Sequence, residues 1–239
     1  MNNQDDSKIK QYEEFNIPPK EYKEPPRPPA SDWYEYKECP SFKHGNQLRA
    51  YQLEGLNWLR YCWFNRTNSI LADEMGLGKT VQSVSIINSI FTEHKNRGPF
   101  LVIAPLSTIP HWEREFENWT DMNVIVYHGN GDARSLMRKY EFHYMDENNK
   151  VVQKNLFKFN TLITTFEMII TDSSILSQIK WKYVVIDEAH RLKNRNSRIL
   201  TEFKHFKFDH LLLLTGTPIQ NNTEELWTLL NVLDEKSFP

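Results

Sequence analysis

From Leu48 onward the chain alternates between two hydrophobic periods. Short continuous apolar runs occur at Ser69–Ala72, Phe100–Ala104, Val124–Tyr127, Thr161–Phe166, Tyr183–Ile186 and Leu211–Leu214. Runs of four to six apolar or β-branched residues between polar boundaries predict buried strands. Longer segments with apolar residues at helical spacing separate them: Leu48–Phe64, Val81–His94, Ile109–Trp119, Ala133–Tyr144 and Glu224–Leu233. Strand–helix alternation predicts an α/β fold, a mostly parallel sheet with helices on both faces. Trp58, Trp63, Trp112, Trp119 and Trp227 fall on the helical patterns and read as core. Asp146–Lys150 reads as a polar turn, with Asn148 and Asn149 suited to a hairpin tip.

Residues 1–40 break this pattern. Half of the 12 prolines lie between Pro18 and Pro29, so the stretch is extended or irregular: a linker that docks on the domain, or a tail. Residues 41–239 then form one domain. The length of 239 residues, with 39% hydrophobic and 25% charged residues, suits one sizeable core. A net charge of -2 lends no bulk support to nucleic-acid binding, although local patches and backbone amides can still hold phosphates. Cys39 and Cys62 make no disulfide framework, which favours a reducing compartment. The first ten residues lack the apolar core of a signal peptide, and no apolar run reaches the roughly 20 residues of a membrane span, so an intracellular protein without a membrane partner is expected.

The run Ser69–Ala72 leads into Asp73-Glu74-Met75-Gly76-Leu77-Gly78-Lys79-Thr80, followed by a helical stretch. Strand, glycine-containing loop and helix together are what a phosphate cradle requires. Gly76 and Gly78 open backbone angles that turn successive amides toward an anion, and the helix N-terminus adds positive potential. Lys79 would sit on the outer phosphates and the Thr80 hydroxyl would ligate Mg2+. The general phosphate-loop pattern has glycine where Asp73 stands, so a plain glycine turn before a lysine stays open at this point.

Tyr183–Ile186 ends in Asp187-Glu188-Ala189-His190. Two adjacent carboxylates at the end of a buried strand are costly unless the charge is used. A magnesium–nucleotide complex would use both: Asp187 holding the metal through water, Glu188 orienting and deprotonating the attacking water. The competing reading is an exposed acidic turn. His190 is either structural or a link from the nucleotide site to neighbouring loops.

An Asp-Glu-Ala-His sequence after a strand, with a phosphate loop upstream, resembles the helicase superfamily that contains the Asp-Glu-Ala-His box enzymes. Ile70 to Thr80 is similar to the nucleotide loop of SWI/SNF-type remodelling ATPases, which also carry aspartate at the position of Asp73. Leu48-Arg49-Ala50-Tyr51-Gln52 resembles their adenine-recognising motif, and an amide side chain such as Gln52 both donates and accepts. Pro105-Leu106-Ser107-Thr108 with Trp112-Glu113, and Thr164-Thr165-Phe166, resemble strand-end motifs that contact DNA. Leu214-Thr215-Gly216-Thr217-Pro218-Ile219-Gln220-Asn221 resembles the motif that couples hydrolysis to movement. Phrases such as Tyr51 to Leu59 and Ala189 to Asn194 are similar to the chromodomain-helicase-DNA-binding group, and Val126-Tyr127-His128-Gly129 with Thr164 to Ile169 to its Kismet-like branch.

That resemblance implies a RecA-like, phosphate-loop lobe that binds ATP and Mg2+. It implies hydrolysis coupled to movement along double-stranded DNA on nucleosomes, in the nucleus, with histones as partners. The nucleotide-binding set is then Gln52 and Asp73 to Thr80, and the catalytic set Lys79, Asp187 and Glu188. DNA contacts fall to Ser107, Thr108, Thr164 and Thr165, and coupling to His190, Thr215, Gly216, Thr217 and Gln220. Arg191, Lys193, Arg195 and Arg198 form either a phosphate-facing patch or a solvated loop. The family's motors have a second lobe that supplies arginines, and none follows Pro239, so the chain is expected to be a fragment with little hydrolysis of its own. Alternatives are a non-catalytic nucleotide- or DNA-binding fragment and a strand-separating helicase.

Overall fold

The computed structural model describes residues 13–192, 198–216, 223–234 and 237. After two short 3-10 turns, the elements in chain order are α1 (Ala50–Phe64), β1 (Ser69–Leu71), α2 (Lys79–Thr92), β2 (Phe100–Ile103), α3 (Ile109–Trp119), β3 (Val124–Tyr127), α4 (Gly131–Glu141) and β4 (Thr161–Thr164). There follow α5 (Phe166–Thr171), α6 (Ser173–Leu176), β5 (Lys180–Trp181), β6 (Tyr183–Ile186), α7 (Arg198–Phe203), β7 (Lys207–Phe208), β8 (Leu211–Leu214) and α8 (Thr223–Leu233). Six strands form one sheet in the order β1-β8-β6-β2-β4-β3, and every pairing is parallel. The register sets Ile103 at the end of β2 beside Thr164 on one flank and Ile186 on the other.

Strand alternation divides the core in two. Phe100, Val102, Val185 and Leu212 face a cluster with Leu56 and Leu59 of α1, Ile86 and Ile87 of α2, and Trp112 and Phe116 of α3. Leu101, Ile103, Val184 and Leu213 face the other cluster, with Met168 and Ile169 of α5, Phe203 of α7 and Leu229 of α8. Burial on both faces is why these strands read as unbroken apolar runs. β5 and β7 pair separately as a two-stranded parallel ribbon.

Several boundaries differ from the sequence expectation for local reasons. The run Thr161–Phe166 stops being strand at Thr164, because the Thr165 side chain accepts the Met168 N–H and starts α5. Asn130 caps α4 in the same way, at 2.8 Å from Ala133 N. The Asp146–Lys150 turn does close a small hairpin, with Met145 bridged antiparallel to Val151 and Asn149 at φ 56°. Trp63 and Trp112 are core, but Trp58 and Trp227 are 42% and 40% exposed, so helical spacing over-assigned the interior.

The proline-rich approach packs onto the lobe. Arg27 donates to the Asp209 carbonyl at 2.8 Å and to the Trp63 carbonyl, and lies over the Trp63 ring. Glu24 pairs with buried Lys182. Arg60 of α1 is fully buried, its guanidinium 3.7 Å from the Tyr36 ring centroid and 4.6 Å from that of Tyr34. It also donates to the Tyr34 carbonyl at 3.0 Å and pairs with Glu93 at 3.1 Å. A buried guanidinium needs this density of partners, because an unpaired one costs several kcal/mol.

Candidate nucleotide site

Parallel pairing places the C-terminal ends of β1, β8, β6, β2 and β4 on one edge of the sheet. The loop after β1 is built around two left-handed glycines, Gly76 at φ 86° and Gly78 at φ 79°. Gly78 is the N-cap of α2, and a Cβ there would lie 2.4 Å from Gln52 Nε2. Glycine is required on both counts. Lys79 turns back into the loop, its ammonium donating to the carbonyls of Asp73 at 2.7 Å and Glu74 at 3.0 Å. Those are neutral carbonyls, so an anion reaching the Lys79 ammonium would displace no ion pair to them. Thr80 follows, half-buried in the first turn of the helix.

Gln52 is nearly buried, at 8% exposure. Its Oε1 accepts the Arg49 N–H at 2.9 Å, capping α1, and its Nε2 reaches the Leu77 carbonyl at 3.4 Å. Each end of the amide keeps further hydrogen-bonding capacity. Gln82, fully buried in α2, donates to Asp73 Oδ2 at 3.1 Å and braces the loop from beneath. It lies so close to α1 that a Cβ on Gly55 would come within 1.8 Å of its Oε1. Beside the loop a groove of about 620 Å3 is lined by residues that include Tyr51, Trp58, Asp73 and Leu77.

At the end of β6, the Asp187 N–H donates to the Ile103 carbonyl at 2.8 Å, continuing the sheet by one residue. Its carboxylate is held at both oxygens. Oδ1 accepts the Glu188 N–H at 2.9 Å, and Oδ2 accepts the Trp112 indole N–H at 2.9 Å, with the Thr108 hydroxyl at 3.5 Å. Glu188 is left-handed, at φ 51°. A non-glycine residue pays for that conformation in strain, which is kept where the side chain must point a particular way. His190 Nδ1 lies 3.1 Å from Glu188 Oε2.

Between them, β8 brings Thr215 and Gly216 to the loop. The Thr215 N–H donates to the Leu71 carbonyl at 3.2 Å. A Cβ on Gly216 would meet Met75 Cγ at 2.8 Å and Lys79 Nζ at 3.8 Å. Thr217, Gln220, Lys193 and Arg195 lie outside the described residues. Arg191 rests its guanidinium 5.5 Å from the Phe166 ring centroid.

The four expected DNA-contact side chains divide. Ser107 is exposed and Thr108 half-buried in the 3-10 turn after β2, open at the edge. Thr164 is not available: it is fully buried and its hydroxyl donates to the Tyr127 carbonyl at 2.7 Å. Thr165 is 5% exposed and its hydroxyl caps α5. Trp112 is likewise turned inward and fully buried, so of the Trp112-Glu113 pair only Glu113 faces solvent. Sequence reading missed Gln82 as a brace of the loop and Gly55 as the gap in α1 that admits it. A glycine inside an otherwise strong helix was the available signal.

A family model described as the SNF2-related domain matches residues 51–239. The chain belongs to this family. The SNF2-related domain here is 50% identical over 235 residues to "Chromodomain-helicase-DNA-binding protein 8" of Danio rerio, covering 98% of this chain and 9% of that protein. It is also 50% identical to "Chromodomain-helicase-DNA-binding protein 7" of Homo sapiens, covering 98% of this chain and 8% of the relative. The chain thus spans under a tenth of the length of these relatives. Among solved structures, the "Sulfolobus solfataricus SWI2/SNF2 ATPase core in complex with dsDNA" matches with a TM-score of 0.69 and 30% identity, over 84% of this chain and 38% of that one. The SNF2-related domain shares the RecA-like α/β fold of that core.

Proposed function

We propose that this lobe binds ATP with Mg2+ and that, within the longer protein, it powers movement along double-stranded DNA of nucleosomes in the nucleus. The carrying observation is the lysine cradle and the held acidic pair on one sheet edge. Lys79 sits on the left-handed Gly78 N-cap, and β8 alone separates its strand from the one that ends in Asp187-Glu188. The likeness to relatives named for chromodomain, helicase and DNA-binding functions, and to a core solved with double-stranded DNA, supports the polymer assignment.

The residues fit the group. Asp187 offers a carboxylate whose orientation is held at both oxygens, and Thr80 a half-buried hydroxyl in the first turn of α2, the hard oxygen donors that Mg2+ takes alongside the phosphates it accompanies. Thr80 and Asp187 would hold it, and bound Mg2+ neutralises charge on the phosphate oxygens. Lys79 would exchange the carbonyls of Asp73 and Glu74 for the outer phosphates. Glu188 would accept a proton from water as the water oxygen bonds to the terminal phosphorus and the bond to the departing diphosphate breaks. His190 would orient the Glu188 carboxylate. Gln52 and the groove beside Tyr51 and Trp58 would take the base. Ser107 and Thr108 would grip the DNA backbone without reading sequence.

The test is DNA-stimulated ATP hydrolysis by the longest natural form of the protein, beside Lys79→Ala and Glu188→Gln. Loss of a general base is worth roughly 10^2 to 10^4 in rate. Equal activity in all three proteins would sink the assignment. Nucleosome sliding without strand separation separates a translocase from a strand-separating helicase. The 239-residue chain alone should hydrolyse ATP slowly, and brisk turnover would contradict a site completed by a second lobe.

A further inference from the structure

We propose that Trp112 is a positioning residue: its indole N–H fixes the Asp187 carboxylate and ties that carboxylate to the DNA-facing turn before α3. The inference rests on the nucleotide-site reading above and deepens it.

Asp187 has two oxygens and a distinct neighbour for each. Oδ1 is satisfied by the next residue's own amide, a bond internal to the strand end. Oδ2 is held from another element, by Trp112 Nε1 at 2.9 Å. The Thr108 hydroxyl, at 3.5 Å from Oδ2, is spent chiefly on the Pro105 carbonyl at 3.0 Å. The indole is therefore the side-chain donor that sets the carboxylate's rotation. A tryptophan N–H donates and cannot accept, so it fits an ionised carboxylate and leaves the remaining lone pairs for a cation. Trp112 is fully buried, with Phe116 beside it on the helix, so the donor cannot swing away alone.

The other end of the connection is exposed. Trp112 lies one helical turn from Thr108, the last residue of the turn Leu106–Thr108. Ser107 and Leu106 of that turn are exposed. A phosphate gripped there, as the proposed function has it, would bear on the start of α3, and the first buried polar group that the helix carries is the one holding Asp187. Outer-shell partners of metal-holding carboxylates change metal affinity or activity by about 10- to 100-fold when removed.

The experiment compares Trp112→Phe with Trp119→Phe. Trp119 is on the same helix, and its indole N–H donates to Glu115 at 3.0 Å, away from the site. Binding of a fluorescent ADP analogue is titrated with Mg2+ in this chain, and DNA stimulation of hydrolysis is measured in the longest natural form. For Trp112→Phe, the Mg2+ concentration for half-maximal binding rises about tenfold. Affinity without Mg2+ stays unchanged, and the DNA-stimulation ratio falls. Trp119→Phe changes neither. Equal shifts in both variants, or none in Trp112→Phe while wild type shows Mg2+-dependent binding that Lys79→Ala abolishes, overturn the role of Trp112 alone. Absence of Mg2+-dependent binding in wild type overturns the nucleotide-site reading and this inference together. Should Trp112→Phe fail to fold, the nitrogen-15 indole spectrum of wild type decides. Mg2+ with ADP must move a solvent-protected indole N–H signal that ADP alone leaves in place, and an unmoved set overturns the proposal.

Discussion

Replacing Gly55 by alanine sets two effects of opposite sign against each other. Gly55 is inside α1, where alanine is favoured over glycine by about 0.5–1 kcal/mol. The added Cβ, however, would lie 1.8 Å from Gln82 Oε1 and 2.9 Å from its Cδ. Gln82 is fully buried, so its amide cannot step aside into solvent. Among the described residues its Oε1 has no hydrogen-bond donor, and displacing that atom breaks no bond there. Its Nε2 holds the Asp73 carboxylate at 3.1 Å, and that bond must break. A hydrogen bond to a charged group contributes about 1.5–3 kcal/mol, toward the low end here because Asp73 is only half-buried. Overpacking adds about 1–3 kcal/mol. The clash wins, and Gly55→Ala should destabilise the lobe by about 1.5–4 kcal/mol, a fall in Tm of roughly 2–4 °C per kcal/mol. Urea unfolding measures it. In a Gln82→Ala background the clash is gone, and the same alanine should be neutral or stabilising. A Gly55→Ala protein more stable than wild type, or equally destabilised in both backgrounds, refutes the reasoning.

Arg27→Ala removes the donor to the Asp209 carbonyl and leaves the Trp63 carbonyl with the Arg66 N–H. It should speed hydrogen exchange at Trp33 and Tyr36 by an order of magnitude or more and cost about 2 kcal/mol; unchanged exchange would show that the proline-rich approach docks without it. Burial, and secondarily the Arg27 charge, pushes fully buried His210 down to about 3. The native state therefore binds fewer protons than the unfolded chain between about pH 6.5 and 3, and stability falls as pH drops through that window. The loss from pH 7 to pH 5 is about 2 kcal/mol. His210→Gln should remove most of that slope in urea midpoints measured across the range. A residual slope of the same sign will remain from His94 and His143, which burial also pushes down.

Much of the fold was legible because the sheet is buried on both faces. Four-residue runs such as Tyr183–Ile186 and Leu211–Leu214 have no polar position to blur their ends. Helix starts were read late by about two residues wherever the first turn is polar, as at Lys79-Thr80 and Gly131-Asp132. The two-residue strands β5 and β7 carry too little pattern to see. The loop and the acidic pair were legible because each is contiguous in the chain. Which hydroxyls face outward was not: Thr164 and Ser107 look alike as strand-end residues, and only the pleat of β4 turns Thr164 to the Tyr127 carbonyl. The Trp112–Asp187 bond joins residues 75 apart, and no local spacing announces it. Tyr34 and Tyr36 likewise lie in a segment whose composition reads as linker, while their role is set by a buried arginine further along the chain.

The placement of β8 between β1 and β6 has a consequence for how the two charged strand ends are arranged. Neighbouring strands run about 4.8 Å apart, so the two chemical ends stand about 10 Å from each other along the edge. A lysine and an aspartate on adjacent strands would be free to neutralise one another, and an incoming anion would then have to break an ion pair before it could bind. With that strand interposed, the Lys79 ammonium is held by the neutral carbonyls of Asp73 and Glu74, which an anion displaces without first breaking an ion pair to them.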